Sequence, residues 1–124
     1  MVLWVAAGGA IGASGRYLVN IAAGRLAGTG FPWGTLTVNI LGSFIMGALV
    51  TAMALKVNVS QEMRAFLTTG VLGGFTTFSA FSLDFALLVE RGDWPHAIIY
   101  ALASVGLSLI AIFAGLWLAR AVFA

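Results

Sequence analysis

Neutral hydrogen-bonding side chains recur every four residues in two strongly apolar stretches of this chain. They are Thr35, Asn39 and Ser43 in one stretch and Tyr100, Ser104 and Ser108 in the other. A four-residue interval places side chains along one face of an α-helix. In a membrane, hydroxyl and amide groups on such a face either hydrogen-bond to a neighbouring helix or line a path for a polar solute. Asn39 carries the most hydrogen-bonding capacity, because its amide has two donors and an acceptor oxygen that all need partners.

A further stretch, Gly70–Phe81, combines apolar residues with a poor helical sequence. It reads GVLGGFTTFSAF and contains three glycines and the pair Thr76-Thr77. Glycine and threonine weaken a helix interior. In hydrocarbon, non-helical backbone is tolerated only where it is buried in protein or lines a wet cavity. The sequence therefore predicts a helix that is broken near the bilayer middle, and the break marks a site.

Phenylalanines run through and past this break at three- and four-residue intervals. They are Phe75, Phe78, Phe81 and Phe85. An aromatic stripe at this spacing is typical of helix packing or lipid contact. From the pattern alone, both packing and a role at the break remain open.

The composition is that of an integral membrane protein. The chain has 124 residues, of which 61% are hydrophobic and 8% charged, and its mean hydropathy is +1.07. Soluble domains have about 25% charged residues. We expect an all-α membrane protein, with residues 1–124 as a single membrane domain and four transmembrane helices at about 2–26, 33–55, 61–89 and 94–120.

Several functional classes are excluded by the sequence. It contains no nucleophile elbow, no H-E-x-x-H pair and no phosphate loop, and it has no cysteine for thiol chemistry. The net charge of +2 is too small and too scattered for a nucleic-acid surface. His96, the sole histidine, is interpreted as an interfacial residue at the membrane edge. We therefore expect neither an enzyme nor a nucleic-acid partner.

The basic residues divide evenly between the two sides that four spans would create. One side receives Lys56, Arg64 and Arg120, and the other receives Arg16, Arg25 and Arg91. Orientation in a membrane follows the bias of Lys and Arg, so an even division predicts insertion in both directions. The natural assembly is then an antiparallel, dual-topology homodimer whose two-fold axis lies in the membrane plane. Such an axis would bring the break against its own copy.

Three blocks of sequence carry a family resemblance over nearly the whole chain. They are GASGRY at 12–17, GTLTVN at 34–39 followed by GSF at 42–44, and GGFTTFSAF at 73–81. In order and spacing they resemble the Fluc (CrcB) family of fluoride channels. One departure is Ala80, where many members have threonine; it leaves Phe78 and Phe81 intact.

The resemblance implies roles for individual residues. Phe78 and Phe81 would present ring edges to fluoride, and Asn39 would be the pore amide. The remaining pore residues implied are Thr35, Ser79, Tyr100, Ser104 and Ser108. Arg16 is similar to the vestibule arginine of the family. Gly73 and Thr76 would offer backbone carbonyls to a structural Na+ at the dimer interface. The implied location is the lipid bilayer of the inner (plasma) membrane.

The donor types suit fluoride, which is small and strongly hydrated. Hydroxyls, an amide and positive ring edges can replace water without a full positive charge that would trap the ion. With neither an ATP site nor an evident proton relay, passive export is the simplest mechanism, and it would lower cytoplasmic fluoride and confer fluoride resistance.

Two other functions compete with the channel. One is a small multidrug-type, proton-coupled exporter, which depends on a carboxylate in the first span, where this chain has no Asp or Glu. The other is a non-transporting membrane assembly subunit, which would account for glycine packing faces but not for hydroxyl stripes on two helices and a broken third.

Overall fold

The structure, a computed structural model, describes residues 1–56 and 58–124. Within these residues all regular secondary structure is helical. The elements in chain order are α1 (Val2–Ala27), α2 (Trp33–Leu55), α3 (Gln61–Ala65), a π-helical segment (Phe66–Leu72), α4 (Gly73–Phe75), α5 (Ser79–Glu90) and α6 (Trp94–Phe123). The segments from α3 to α5 together form the third span.

Four stretches of the described chain are long and apolar enough to cross a membrane. They are Val2–Ala27, Trp33–Leu55, Gln61–Glu90 and Trp94–Phe123. The expectation of an all-helical protein with four spanning helices is therefore confirmed. The last span continues to Phe123, three residues beyond the position expected from the sequence.

Exposed tryptophans mark both ends of the helical bundle. Trp33 and Trp94 begin α2 and α6 at one end, whereas Trp4 and Trp117 lie near the other end. All four side chains are exposed. Tryptophan is enriched at the two membrane–water interfaces, so these residues indicate the depth at which the helices sit.

Two helix starts follow from capping residues. The Ser60 hydroxyl accepts a hydrogen bond from Met63 N at 3.1 Å and begins α3. Asp93 accepts from His96 N at 3.4 Å, and Pro95 occupies the first turn of α6. The carboxylate also contacts His96 Nδ1 at 2.8 Å. Hydrogen bonding to His96 is the main reason that the pKa of Asp93 lies below its ordinary value.

Glycines set how closely the helices pack. A Cβ added to Gly12 of α1 would overlap the Val71 carbonyl of the π-helical segment. A Cβ added to Gly115 of α6 would overlap the Phe44 carbonyl of α2. Small residues of this kind let helix backbones approach each other within a membrane. They hold α1 against the third span and α6 against α2.

The third span is not one continuous helix. After the π-helical segment, α4 ends at Phe75 and α5 begins only at Ser79. Thr76 has extended backbone angles, φ −88° and ψ 157°. We call the three residues between α4 and α5, 76–78, the interruption. The candidate functional site lies around it.

Candidate functional site

The Asn39 side chain holds the backbone of the interruption. Its Nδ2 donates to the Thr77 carbonyl at 3.0 Å. In return, Thr77 N donates to Asn39 Oδ1 at 2.8 Å. The amide thus pairs with both the backbone N–H and the backbone carbonyl of Thr77, which lies on another span. A helix interruption in a membrane needs such partners because no water is present to replace the lost helical hydrogen bonds.

This pairing removes a donor from the end of α4. In a continuous α-helix, Thr77 N would donate to the Gly73 carbonyl four residues earlier. Here that N–H is taken by Asn39 Oδ1. The carbonyl of Gly73 therefore loses its helical partner.

The same exchange occurs one turn further along the chain. In a continuous helix, Ala80 N would donate to the Thr76 carbonyl. Instead, it donates to the Thr77 hydroxyl at 3.2 Å, which acts as a cap for the start of α5. Gly73 and Thr76, the two residues expected from the family resemblance to offer carbonyls, are thus both deprived of their helical donors. The carbonyl oxygens are of the kind that bind hard cations.

Arg16 satisfies a third carbonyl of this region. Its Nε donates to Gly74 O at 3.2 Å. Arg25 lies in the last turn of α1, and Arg16 is nine residues before it, which places Arg16 about 13 Å further along the helix from that end. The structure places the Arg16 guanidinium against α4, next to the interruption, whereas the charge count assigned this residue only to one side of the membrane. The long side chain reaches a backbone acceptor inside the protein rather than the interface.

A cavity of about 440 Å³ opens beside the interruption. Its walls come from α2, the third span and α6. The lining residues are Asn39, Ser43, Gly73, Thr76, Thr77, Phe78, Phe81, Ser104, Val105, Ser108 and Leu109. Hydroxyl, amide and aromatic groups that are far apart in sequence thus share one space. We call it the central cavity.

Two serines in this cavity have unused hydrogen-bonding capacity. Within the described part of the chain, neither Ser104 Oγ nor Ser108 Oγ has a hydrogen-bond partner, although both atoms are buried. Ser104 as a whole is only 6% exposed. Buried hydroxyls are nearly always hydrogen-bonded, so a pair without partners requires an explanation. Two free donors that line a cavity can bind a polar solute there.

The two phenylalanines of the cavity differ in exposure. Phe78 is 75% exposed. Phe81 is partly buried, with its ring 5.5 Å from that of Phe78 and 5.1 Å from that of Tyr100. Aromatic ring edges carry partial positive charge. Phe81 is therefore fixed by its neighbours, whereas Phe78 faces outward from the subunit.

Known proteins resemble this chain over most of its length. A family model described as CrcB-like protein, Camphor Resistance (CrcB), matches residues 3–116. The chain belongs to the CrcB family. A relative named Fluoride-specific ion channel FluC, from Chelativorans sp. (strain BNC1), is 60% identical over 121 residues, which cover 98% of this chain and 97% of the relative. A protein of the same name from Agrobacterium fabrum is 59% identical over 119 residues, covering 96% and 95% of the two chains.

Membership in the CrcB family confirms three expectations from the sequence. The resemblance to this family was correct. The relatives are named as ion channels, so the expectation that the chain is not an enzyme also holds. With four helices able to span a membrane, this CrcB protein is a multi-pass protein of the plasma membrane.

Three residues implied for the pore lie outside the central cavity of the CrcB chain. Thr35 is 5% exposed and lines a second cavity, of about 640 Å³, between the ends of α1, α2 and α5. Tyr100 is fully buried and contacts Phe81. Ser79 is exposed and lies 3.3 Å from the Thr77 hydroxyl, Oγ to Oγ1. Thr35 therefore borders the second cavity, Tyr100 packs against a ring of the central cavity, and Ser79 begins α5 next to the interruption.

Sequence reasoning missed two contributors to this region and gave a third no role. The third is Ser43, which belongs to the four-residue stripe of α2 and lines the central cavity. Asp84, the acidic residue inside a span, accepts a hydrogen bond from the Tyr100 hydroxyl at 3.1 Å. Thr77 contributes its backbone and hydroxyl to the interruption. No pattern in the sequence could have indicated those last two pairings, since each depends on how the spans pack.

Proposed function

We propose that this CrcB protein is a fluoride-selective channel that lets fluoride leave the cytoplasm down its gradient. The observation that carries the proposal is the central cavity, whose lining combines two serines with unpartnered hydroxyls, two phenylalanines and Asn39. Close relatives over the full length are named Fluoride-specific ion channel FluC. Neutral donors suit passage of fluoride because they replace its water without holding it tightly.

Individual residues receive roles in this pathway. The Ser104 and Ser108 hydroxyls donate to the ion in the central cavity, and the ring edges of Phe78 and Phe81 contact it there. Asn39 contributes the hydrogen on Nδ2 that its bond to Thr77 leaves free. Thr35, Ser79 and Tyr100 extend the polar path beyond this cavity. Arg16 raises the potential for anions near it.

The working assembly is an antiparallel homodimer with the interruption of each third span close to the bilayer middle and to the two-fold axis. The exposed ring of Phe78 supports this arrangement, because a second subunit would cover it. The balance of basic residues supports insertion of the same chain in both orientations. The pore would then combine surfaces from both subunits.

A structural Na+ at the dimer interface fits the donor set at the end of α4. The carbonyls of Gly73 and Thr76 have lost their helical donors to Asn39 and to the Thr77 hydroxyl. Four such oxygens, two from each subunit, suit a hard monovalent cation. When bound, the ion supplies a positive charge that draws anions towards the site and joins the subunits.

The rival functions fit the chain less well. A proton-coupled exporter of the small multidrug type needs a carboxylate in the first span, and α1 has none. A non-transporting assembly subunit gives no reason for buried hydroxyls without partners beside a cavity. The names of the relatives also favour the channel over both.

Efflux from liposomes tests the proposal. The purified protein is reconstituted into liposomes loaded with fluoride or chloride, and release is followed with an ion-selective electrode. We expect rapid fluoride release without comparable chloride release, and no release from protein-free liposomes. Absence of fluoride flux, or exchange of a cationic drug against protons, would contradict the channel.

A further inference from the structure

Asn39 belongs to the anion path under the proposed function, yet most of its hydrogen bonding serves a different purpose. Its Oδ1 accepts from Thr77 N at 2.8 Å and its Nδ2 donates to Thr77 O at 3.0 Å. These two bonds use the acceptor and one of the two donors of the amide. The side chain is therefore committed first to the backbone of the interruption.

The commitment has a direct effect on a neighbouring carbonyl. Thr77 N has one hydrogen to give, and in a helix it would give it to the Gly73 carbonyl. As long as Asn39 holds that hydrogen, the Gly73 oxygen is available to another ligand. Without Asn39, the N–H can return to Gly73, and α4 can continue by another residue.

The Thr77 hydroxyl acts in the same way on the other carbonyl. It accepts from Ala80 N at 3.2 Å, and that N–H would otherwise serve the Thr76 carbonyl. The hydroxyl also lies 3.3 Å from Ser79 Oγ, so it is held within a local network. Two side-chain acceptors, from Asn39 and Thr77, thus withdraw the two donors that would occupy the oxygens of Gly73 and Thr76.

We propose that Asn39 and Thr77 are positioning residues for a cation site, which they create by withdrawing the helical donors of the Gly73 and Thr76 carbonyls. This inference rests on the Na+ site of the proposed function. Under this proposal Asn39 couples the anion path to the cation site. Its amide borders the central cavity and also takes the donor that the Gly73 carbonyl would otherwise bind. Neither residue contacts the cation itself.

The test measures sodium binding through stability and requires no flux. The full-length protein in detergent is unfolded thermally in increasing sodium chloride, with choline chloride keeping the ionic strength constant. A ligand that binds only the folded state raises Tm with its concentration. We expect Tm of the wild type to rise with sodium and to saturate, which defines a half-saturating concentration.

Variants of Asn39 separate positioning from anion contact. Asn39→Ala loses the acceptor for Thr77 N, so this N–H can return to the Gly73 carbonyl. We expect the half-saturating sodium concentration of this variant to rise about tenfold or more, which is the size of effect typical of losing a buried hydrogen bond. Asn39→Asp keeps an oxygen for Thr77 N and is expected to retain the sodium response. Ser43→Ala, one turn along α2 and on the same cavity wall, is the matched control and is expected to respond as the wild type does.

Thr77 gives a second pair of variants that decides the case if Asn39→Ala does not fold. Thr77→Val keeps the side-chain shape but lacks the acceptor for Ala80 N, so we expect a weaker sodium response. Thr77→Ser restores the hydroxyl and is expected to restore the response.

Two outcomes overturn the inference in different ways. An unchanged sodium response in both Asn39→Ala and Thr77→Val would refute the positioning role and leave the cation site intact. A wild type that shows no sodium response would refute the cation site and the positioning role together. The fluoride efflux assay is independent of both results, so a failure here is distinguishable from a failure of the channel.

Discussion

The Tyr100 hydroxyl donates to Asp84 Oδ2 at 3.1 Å and joins α6 to α5. Asp84 is the acidic residue that lies farthest from the ends of the third span. An ionised carboxylate without partners inside a membrane is costly. The Tyr100 ring also packs edge-to-face on Phe31, at 5.5 Å between centroids, and contacts Phe81 at 5.1 Å. Tyr100 therefore packs against Phe81, a ring that lines the central cavity, and provides Asp84 with a hydrogen-bond donor.

Removing this donor is expected to destabilise the protein. Tyr100→Phe keeps the ring contacts but leaves Asp84 without its hydrogen bond, at a cost of about 1–3 kcal/mol. Tyr17→Phe, the same change at an exposed position of α1, is the control and is expected to be neutral. Thermal unfolding in detergent measures both. In a double-mutant cycle with Asp84→Leu, which has no acceptor for the Tyr100 hydroxyl, additive effects would contradict the interaction.

Phe81→Ile is expected to reduce fluoride flux severely, by about tenfold or more. Isoleucine has no positive ring edge to face an anion, although it fills much of the same space. Liposome efflux gives the rate, and cross-linking or light scattering shows whether the proposed dimer still forms. Phe113→Ile, at a 67% exposed position of α6, is the matched control. Wild-type flux in Phe81→Ile would remove this ring from the pore.

Asn39→Asp is also expected to reduce flux severely while leaving the dimer assembled. The new negative charge repels an anion in the central cavity, and the bond from Nδ2 to the Thr77 carbonyl is lost. Asn58→Asp introduces the same change at an exposed residue between α2 and α3 and is expected to keep wild-type flux. If the two variants conduct equally well, Asn39 does not belong to the anion path.

Gly115→Ala is expected to destabilise the pair of α2 and α6. The added methyl group overlaps the Phe44 carbonyl and lies 2.9 Å from Ala48 N. Overpacking of this kind costs about 1–3 kcal/mol. Gly106→Ala, on the same helix with no atom within 4 Å of the new Cβ, is expected to be neutral or slightly stabilising. Equal thermal stability of the two variants would refute the close contact.

Two lysines inserted after Asn58 are expected to bias the orientation of the chain. The wild type should insert in both directions because its basic residues are balanced. Accessibility of a single introduced cysteine from either side of the membrane reports the ratio of orientations. The same single orientation before and after the insertion would contradict dual topology.

The parts of the site that were predictable are those that depend on helical spacing. Four-residue intervals placed Asn39 and Ser43 on one face of α2, and Ser104 and Ser108 on one face of α6. The structure brings these four residues together around one cavity. Composition alone was enough for four spanning helices. In both cases the signal is local and follows from the period of an α-helix.

The unpredicted parts depend on contacts between spans. The sequence showed that the third span contains poor helix formers, but not that Thr77 N would bind Asn39. The charge count assigned Arg16 to one side of the membrane but did not show that it donates to Gly74 O. The π-helical segment Phe66–Leu72 has no signature in residue type or spacing. Each of these features is decided by which acceptor is nearest once the helices have packed.

The bonds between Asn39 and Thr77 lie within a single chain. A newly made subunit can therefore close this part of its interrupted helix as soon as the second and third spans meet in the bilayer, before any partner is present. In the antiparallel homodimer proposed above, assembly then has two steps: each copy enters the membrane in its own orientation with this part of its third span already closed, and it then diffuses laterally until it meets a copy of opposite orientation. A cell could thus build the assembly from one gene without coordinating the synthesis of two copies.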